Sequence, residues 1–260
     1  MRGRTRWFQG VSGAALLSLT ACAATSSPSA GYIDSRPPRY QVSCPAGEVC
    51  HESVALLVGL SAPSEPSRCT AALIGPRTAV TAGHCVAWEL SGRGACDGLW
   101  LGFAGSEGRL PEWVGCERIE SVSMPGASLL SPDYAVLKLG RALARPPIPL
   151  GEGEVPPGEV VRVLSVTADR FYDDVHQVRS RRCIVDDNGR LARSAPAPSI
   201  RLLSSCPIRE GSSGAPVLDR RGRLRGLIHA AGPPYFAFSL MTLLPQPVQR
   251  GDGQDHHHPN

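Results

Sequence analysis

Short apolar runs recur along this chain between residues 54 and 240, and glycine and proline fill the stretches between them. The chain has 28 glycines and 24 prolines, and no long segment shows the apolar period of a helix. Short runs bounded by turn residues are typical of the strands of a sandwich or barrel. We therefore predict an all-β protein with strands at 54–60, 69–74, 78–81, 99–103, 119–123, 135–139, 160–166, 175–184, 200–203, 215–218, 224–229 and 236–240.

A proline-rich stretch divides these strands into two halves. Residues 141–158 contain five prolines and three glycines, a composition typical of a boundary between folded units. Within a folded domain at 44–245 we expect a first β unit at about 44–140 and a second at about 158–245. The tail at 246–260 is predicted to be disordered, and its histidines at 256–258 are explained more simply as solvated side chains than as a metal site.

The N-terminus has the features of an export signal. Arg2, Arg4 and Arg6 precede an apolar stretch at 11–19. That stretch has roughly half the length that a membrane-spanning helix needs. We therefore predict that residues 1–21 are a signal peptide.

The signal peptide ends in Leu19-Thr20-Ala21-Cys22, which resembles the lipobox of bacterial lipoproteins. The resemblance implies that Cys22 is diacylated and becomes the first residue of an exported protein anchored to the cell envelope. The alternative is an ordinary signal peptide cut near Ala23 or Ala24, which would give a secreted protein. Ser, Pro and Ala predominate after Cys22, and we predict a flexible tether at 22–43.

The remaining cysteines also indicate export. Eight cysteines form an even set, as four disulfides in an oxidising compartment require. No Cys-x-x-Cys pair is present, so a structural zinc site is the weaker interpretation. Sequence alone leaves the pairing open among Cys44, Cys50, Cys69, Cys85, Cys96, Cys116, Cys183 and Cys206.

The charge distribution does not indicate a nucleic-acid partner. The formal net charge is +4, and the arginines are scattered along the chain. A nucleic-acid interface would need clustered basic residues. We expect no nucleic-acid partner.

Three short segments, far apart in sequence, carry the residue types of a catalytic triad. They are Thr81-Ala82-Gly83-His84-Cys85, a segment at 133–139 that begins with Asp133, and Gly211-Ser212-Ser213-Gly214-Ala215-Pro216. Each alone has an ordinary explanation, as a packed histidine, a turn-forming aspartate or a loop. Together they resemble the Thr-Ala-Ala-His-Cys, Asp-Ile-Ala-Leu-Leu and Gly-Asp-Ser-Gly-Gly-Pro motifs of the trypsin and chymotrypsin family. Other folds carry the same triad in other chain orders, so the order His, Asp, Ser supports the resemblance.

The resemblance implies a serine endopeptidase with two six-stranded antiparallel β-barrels of the chymotrypsin type and the active site between them. His84 would be the base that takes the proton of the Ser213 hydroxyl, and Asp133 would hold the imidazole in the required tautomer. The backbone N–H groups of Gly211 and Ser213 would form the oxyanion hole. No cofactor is expected. The expected partners of this monomer are a protein or peptide substrate and, through Cys22, a membrane.

The same resemblance implies particular disulfides. Cys69 lies sixteen residues before Cys85, which is the family's spacing for the disulfide beside the catalytic histidine. Cys183 with Cys206 would join the segment that leads to the nucleophile. Cys96 with Cys116, or Cys44 with Cys50, would be local links, and the pairing of these last four stays open.

Two departures from the family pattern concern activation. Ser212 stands where the family has an acidic residue before the nucleophile, and no segment like Ile-Val-Gly-Gly precedes the first strand. In trypsin-like zymogens a newly cut N-terminus pairs with that acid, but a serine hydroxyl cannot neutralise a buried ammonium ion. We therefore expect activity without a cut between Pro45 and Val54.

The substrate pocket has weaker signals. Pro207 lies six residues before Ser213, where animal trypsins have the pocket floor, and this disfavours an acidic floor. His229 ends a segment at 226–229 that is similar to the pocket wall of bacterial glutamyl endopeptidases, in a register shifted by one residue. The alternative is a partly buried histidine on a barrel strand.

A second functional hypothesis is a catalytically silent, protease-like surface lipoprotein that acts as a binding module. Degenerate relatives of a protease usually lose at least one triad residue. All three residue types are present here, which favours the enzyme.

Overall fold

The computed structural model describes residues 41–44, 49–59, 67–86, 96, 98–105, 112–124, 131–168, 174–187, 199–206, 208, 211–231 and 238–245. The predicted signal peptide, Cys22, residues 23–40 of the tether and the predicted disordered tail lie outside this range. The described part contains a short 3₁₀ turn at Gly83–Cys85 and the strands β1 (Gln41–Ser43), β2 (Val54–Gly59), β3 (Ser67–Gly75), β4 (Thr78–Thr81), β5 (Leu99–Phe103), β6 (Glu112–Ser123), β7 (Tyr134–Leu139), β8 (Val160–Ala168), β9 (Asp174–Val185), β10 (Ile200–Ser204), β11 (Pro216–Leu218), β12 (Leu224–Ala231) and β13 (Phe238–Thr242).

Strands β2 to β7 close into an antiparallel barrel in the order β2-β3-β4-β7-β6-β5. Every residue of β2 is buried, because its alternating faces meet different apolar clusters. Ala55 and Leu57 belong to the core of this barrel. Leu56 and Val58 belong to a second cluster that also contains Leu227 of β12. One face of β2 therefore packs against the second half of the chain, which explains its uninterrupted apolar run.

Strands β8 to β13 form the second barrel. Their order is β9-β10-β13-β12-β11-β8, and a direct pairing of β8 with β9 closes the ring. All pairs within this ring are antiparallel. The prediction of an all-β protein with two six-stranded antiparallel barrels is confirmed.

Strand β1 corrects the predicted extent of the tether, 22–43. It runs parallel to β9, with Val42 opposite Val175, and is a seventh strand beside the second barrel. Val42 is buried in the cluster that also contains Leu56. The Ser/Pro/Ala-rich composition that predicted the tether does not extend to these three residues, which have backbone partners and a buried apolar side chain.

The proline-rich segment between β7 and β8 is bonded to both barrels. The N–H of Ile148 donates to the carbonyl of Leu73 in β3, and the N–H of Leu224 in β12 donates to the carbonyl of Pro149. The guanidinium of Arg225, which is buried, donates to the backbone carbonyls of residues 152–154. The segment thus joins the barrels as a fixed connection.

Four cysteine pairs lie at disulfide distance: Cys44–Cys50, Cys69–Cys85, Cys96–Cys116 and Cys183–Cys206. They include both pairs that the family resemblance implied and both of the local links. This number of disulfides is typical of an exported protein. In the part of the chain that the structure describes, no helix is long and apolar enough to cross a membrane.

Candidate active site

His84 lies in the 3₁₀ turn Gly83–Cys85, directly after β4. The turn begins at a position where only glycine fits, since a Cβ on Gly83 would collide with the carbonyl oxygen of Ser123. Its last residue is bonded to Cys69 of β3. The backbone on both sides of His84 is therefore held against the first barrel, while the His84 side chain remains 38% exposed.

Asp133 lies directly before β7, the strand that pairs with β4. Its side chain is fully buried. Oδ2 of Asp133 lies 2.6 Å from Nδ1 of His84, and Oδ1 accepts the backbone N–H of His84 at 2.9 Å. The other ring nitrogen, Nε2, lies 3.7 Å from Sγ of Cys85. Neighbouring strands of one barrel thus place the carboxylate and the imidazole in direct contact.

The second barrel contacts the same aspartate through Thr242 of β13. The backbone N–H of Asp133 donates to Oγ1 of Thr242 at 3.2 Å. The same hydroxyl lies 2.8 Å from Nδ1 of His229 on β12, and His229 is only 4% exposed. The Thr242 hydroxyl therefore connects the backbone of Asp133 to His229, a buried histidine on a barrel strand.

Ser213 lies in a tight turn directly before β11 and is partly exposed. Glycines with positive φ flank it, Gly211 at 89° and Gly214 at 78°. The carbonyl of Ser213 accepts the backbone N–H of Thr70 in β3 at 2.7 Å, and the N–H of Gly214 donates to the carbonyl of Ile228 at 2.7 Å. The turn is therefore bonded to both barrels. Its bond to the first barrel is made by β3, the strand that also carries Cys69.

Other predicted site residues have different outcomes. Pro207 lies outside the described residues, as does the histidine run at 256–258. Within the described ranges, the side chains spaced to hold a metal are Cys69, His84 and Cys85. The two sulfurs form a disulfide and so are not the thiolates that bind metal ions.

Sequence reasoning missed two threonines of this site. Thr70 is a fully buried residue of β3. Within the apolar run at 69–74 its hydroxyl was the one polar group, and nothing in the neighbouring sequence indicated a partner for it. Thr242 lies two residues beyond the predicted end of the last strand, 240, and had no local signal.

A family model described as a trypsin-like peptidase domain matches residues 69–227, more than half of the chain. The chain belongs to this family. No curated protein sequence matches this trypsin-like chain significantly.

Solved structures share the fold of this trypsin-like peptidase domain. The structure of GrC is 18% identical, with a TM-score of 0.57 over 77% of this chain and 92% of GrC. The scabies mite inactivated protease paralogue S-D1 is 16% identical, with a TM-score of 0.55 over 74% of this chain and 86% of its own. The Vibrio cholerae VesB protease is 15% identical, with a TM-score of 0.55 over 74% of this chain and 60% of its own. At these identities the likeness establishes the chymotrypsin-type fold.

Proposed function

We propose that this trypsin-like domain is a serine endopeptidase with Ser213 as nucleophile, His84 as general base and Asp133 as the residue that orients the base. The observation that carries the proposal is the double contact between Asp133 and His84, at 2.6 Å and 2.9 Å. A carboxylate accepts hydrogen bonds, so the proton of the neutral imidazole resides on Nδ1. Nε2 then keeps its lone pair, as a general base requires.

The proposed reaction is acyl transfer through Ser213. Nε2 of His84 takes the proton of the Ser213 hydroxyl as Oγ attacks the carbonyl carbon of the scissile peptide bond. The carboxylate of Asp133 stabilises the imidazolium that forms. His84 then gives the proton to the leaving amine, and a water molecule, activated by the same imidazole, hydrolyses the acyl-enzyme.

The negative oxygen of the tetrahedral intermediate needs hydrogen-bond donors. We assign this role to the backbone N–H groups of Gly211 and Ser213. The carbonyl of Ser212 accepts the N–H of Ala215 at 2.9 Å, and because a peptide group is planar, this bond also fixes the direction of the Ser213 N–H. Loss of one donor from such a site costs about 3 to 4 kcal/mol of transition-state stabilisation.

The test is labelling of the soluble protein, beginning at Ala23, with a fluorophosphonate probe. We expect covalent labelling of the native protein and none of Ser213→Ala, with an unchanged melting temperature. Ser204→Ala, on β10 of the second barrel, is the matched control and should be labelled normally. Normal labelling of a pure, folded Ser213→Ala sample would reject Ser213 as the nucleophile.

The second candidate function is a silent, protease-like binding module. The observation in its favour is that an inactivated protease paralogue has the same fold, so fold alone does not decide activity. A protein that is folded and oxidised, binds peptides and fails to react with the probe would support this second function.

We also propose that the exported protein is anchored through a lipid on Cys22. The support is the lipobox-like sequence before that cysteine. A diacylated cysteine would carry two acyl chains, which attach a protein stably to a membrane, whereas one chain gives only reversible binding. Mass spectrometry of the mature protein should find a diacylated Cys22 at the N-terminus. Cys22→Ser should leave the protein unprocessed or unanchored. An unlipidated mature N-terminus at Ala23 or later would reject the anchor without affecting the proposed catalysis.

A further inference from the structure

The hydroxyl of Thr70 connects both barrels to the turn that holds Ser213. Thr70 is fully buried in β3. Its Oγ1 donates to the carbonyl of Gly211 at 2.7 Å and accepts the backbone N–H of Val166 in β8 at 2.9 Å. The carbonyl can only accept and the N–H can only donate, so both directions are fixed by chemistry. The Thr70 hydroxyl, as donor to one group and acceptor from another, therefore joins β3 to β8 and to the segment before Ser213.

The backbone of Thr70 makes two further bonds at the same place. Its N–H donates to the carbonyl of Ser213 at 2.7 Å. Its carbonyl accepts Oγ1 of Thr81 at 2.8 Å, and Thr81 lies at the end of the strand that leads to His84. Thr70 thus links the nucleophile turn to the strand that leads to the proposed base.

These bonds anchor three successive peptide groups of the turn, and the middle one carries the Ser213 N–H of the proposed oxyanion hole. Three successive carbonyls have partners: that of Gly211 bonds the Thr70 hydroxyl, that of Ser212 bonds the N–H of Ala215, and that of Ser213 bonds the Thr70 N–H. A peptide group is rigid, so an anchored carbonyl fixes its plane. The N–H of Gly211 belongs to the preceding peptide group, so the anchored Gly211 carbonyl acts on it through the Gly211 backbone, whose φ is 89°.

Ser212 cannot take part in the ion pair that orders this loop in trypsin-like zymogens after cleavage, because it has no charge. The loop nevertheless needs a buried, directional contact, since N–H groups stabilise an oxyanion only when they are oriented in advance. The Thr70 hydroxyl is such a contact, and it reaches the loop from the side of the first barrel. No new N-terminus is needed for it.

We propose that Thr70 is a positioning residue that orders the oxyanion loop, 211–214, in place of an activation ion pair, so that the enzyme is competent without a proteolytic cut. This inference rests on the proposed serine-protease function. Thr70 acts through the backbone of Gly211 and Ser213 and does not itself contact the substrate. Its hydroxyl, and not its size, carries the role.

The test compares the native soluble protein, extended at its N-terminus by a blocking tag, with Thr70→Val, Thr70→Ser and Thr70→Ala. Valine keeps the shape and removes the hydroxyl, whereas serine keeps the hydroxyl. Thr78→Val, on the neighbouring strand β4, is the matched control. The measurements are amide hydrogen exchange in peptides covering 208–215, kcat and KM on a peptide substrate, and inhibition by a peptide boronic acid, which imitates the tetrahedral intermediate.

We expect the tagged native protein to be active and Thr70→Val to lose about 10²- to 10³-fold in kcat, the effect of one missing oxyanion donor, with KM changed little. Affinity for the boronic acid should fall by a similar factor, and exchange should rise at 208–215 but not in the barrel strands. Thr70→Ser should stay within about tenfold of native kcat. If Thr70→Val does not fold, Thr70→Ala, which avoids placing a methyl group against the unpaired N–H, gives the same comparison.

Native kcat and native exchange in Thr70→Val would overturn the inference. So would a Thr70→Ser protein as impaired as Thr70→Val, because the methyl group and not the hydroxyl would then matter, or activity that appears only after a cut near Val54. If the native protein does not react with the fluorophosphonate probe while Thr70→Val still raises exchange at 208–215, the proposed function fails and the ordering role of Thr70 stands.

Discussion

The carboxylate of Asp133 holds His84 at both its side chain and its backbone. Oδ2 lies 2.6 Å from Nδ1 of the ring, and Oδ1 accepts the main-chain N–H of the same residue at 2.9 Å. The side chain of Asp133 is fully buried, so bulk water does not compete for these bonds. One carboxylate therefore sets both the position of the residue and the tautomer of its ring.

We expect Asp133→Asn to reduce kcat by about 10⁴-fold with little loss of fold. The amide keeps the shape of the carboxylate, but its NH₂ group can face Nδ1 and favour the tautomer in which Nε2 carries the proton. That tautomer cannot accept the proton of Ser213. The measurement is kcat on a peptide substrate. Asp187→Asn, an exposed aspartate after β9, is the control, and equal activity of the two variants would contradict this role of Asp133.

Gly214 makes the nucleophile turn sensitive to a single methyl group. Its φ is 78°, and a Cβ would collide with the carbonyl of Thr70 and the hydroxyl of Thr81. We expect Gly214→Ala to abolish activity and to lower the free energy of unfolding by more than the roughly 1 to 3 kcal/mol of backbone strain alone. Gly158→Ala separates the two effects, because Gly158 has φ of 82° and no atom within 4 Å of its Cβ position. Urea unfolding of both variants measures the difference, and equal losses would show that the collision is absent.

The sequence was sufficient to predict most of the fold, because apolar runs coincide with strands that have buried faces. Strand β6 shows where this signal stops. It was predicted at 119–123 but begins at Glu112, since its first half pairs with β5, with Gly115 opposite Trp100. Between that pairing and the predicted start lie the exposed charges of Glu117 and Arg118, which do not look like a buried strand. Backbone pairing, which composition does not report, decides the boundary.

The candidate site divides in the same way. His84, Asp133 and Ser213 each lie in a recognisable local motif, so sequence reasoning could name them. Thr70 has no such motif, because its hydroxyl finds its acceptor 141 residues away, at Gly211. The pairing of Thr242 with Asp133 spans 109 residues. Contacts of this kind depend on how the two barrels meet and were therefore visible only in the structure.

The acid stability of the first barrel should depend on Glu112. Its carboxylate lies 2.8 Å from Nε of Arg145 and 2.8 Å from Nη1 of Arg141. Burial raises the pKa of Glu112, but the hydrogen bonds and charges of the two arginines outweigh this effect and hold its pKa below the ordinary value of 4.5. A lowered pKa in the folded state means that this carboxylate stabilises the protein above about pH 4.5 and loses that effect as the pH falls through its folded pKa.

We therefore expect Glu112→Gln to reduce the free energy of unfolding by about 1 kcal/mol or less at pH 7, since the carboxylate is partly exposed. The difference between the native protein and the variant should shrink as the pH falls below 4.5. The measurement is urea unfolding of both proteins between pH 3 and pH 7. Burial raises the pKa of Asp219, but bonds to Arg223 and Arg221 outweigh this effect and lower its pKa. Because Asp219 is present in both proteins, its contribution to the pH dependence of stability cancels in the difference between them. A difference that does not depend on pH would contradict the prediction.

Thr242 should support catalysis from the second barrel, because its hydroxyl accepts the N–H of Asp133 and contacts Nδ1 of His229. Thr242→Val keeps the shape and removes both bonds. We expect a loss of about 1 to 3 kcal/mol of stability from the buried polar groups left unpaired. We also expect a fall in kcat of roughly tenfold, which corresponds to about 1.4 kcal/mol of lost positioning. Thr242→Ser should restore both the stability and kcat.

The control for Thr242 is Ser239→Ala on the same strand. It removes a buried hydroxyl that bonds the carbonyl of Cys206, and it should reduce stability without a comparable loss of kcat. If the two variants lose kcat equally, the effect is a general loosening of β13, and Thr242 has no particular role in holding Asp133.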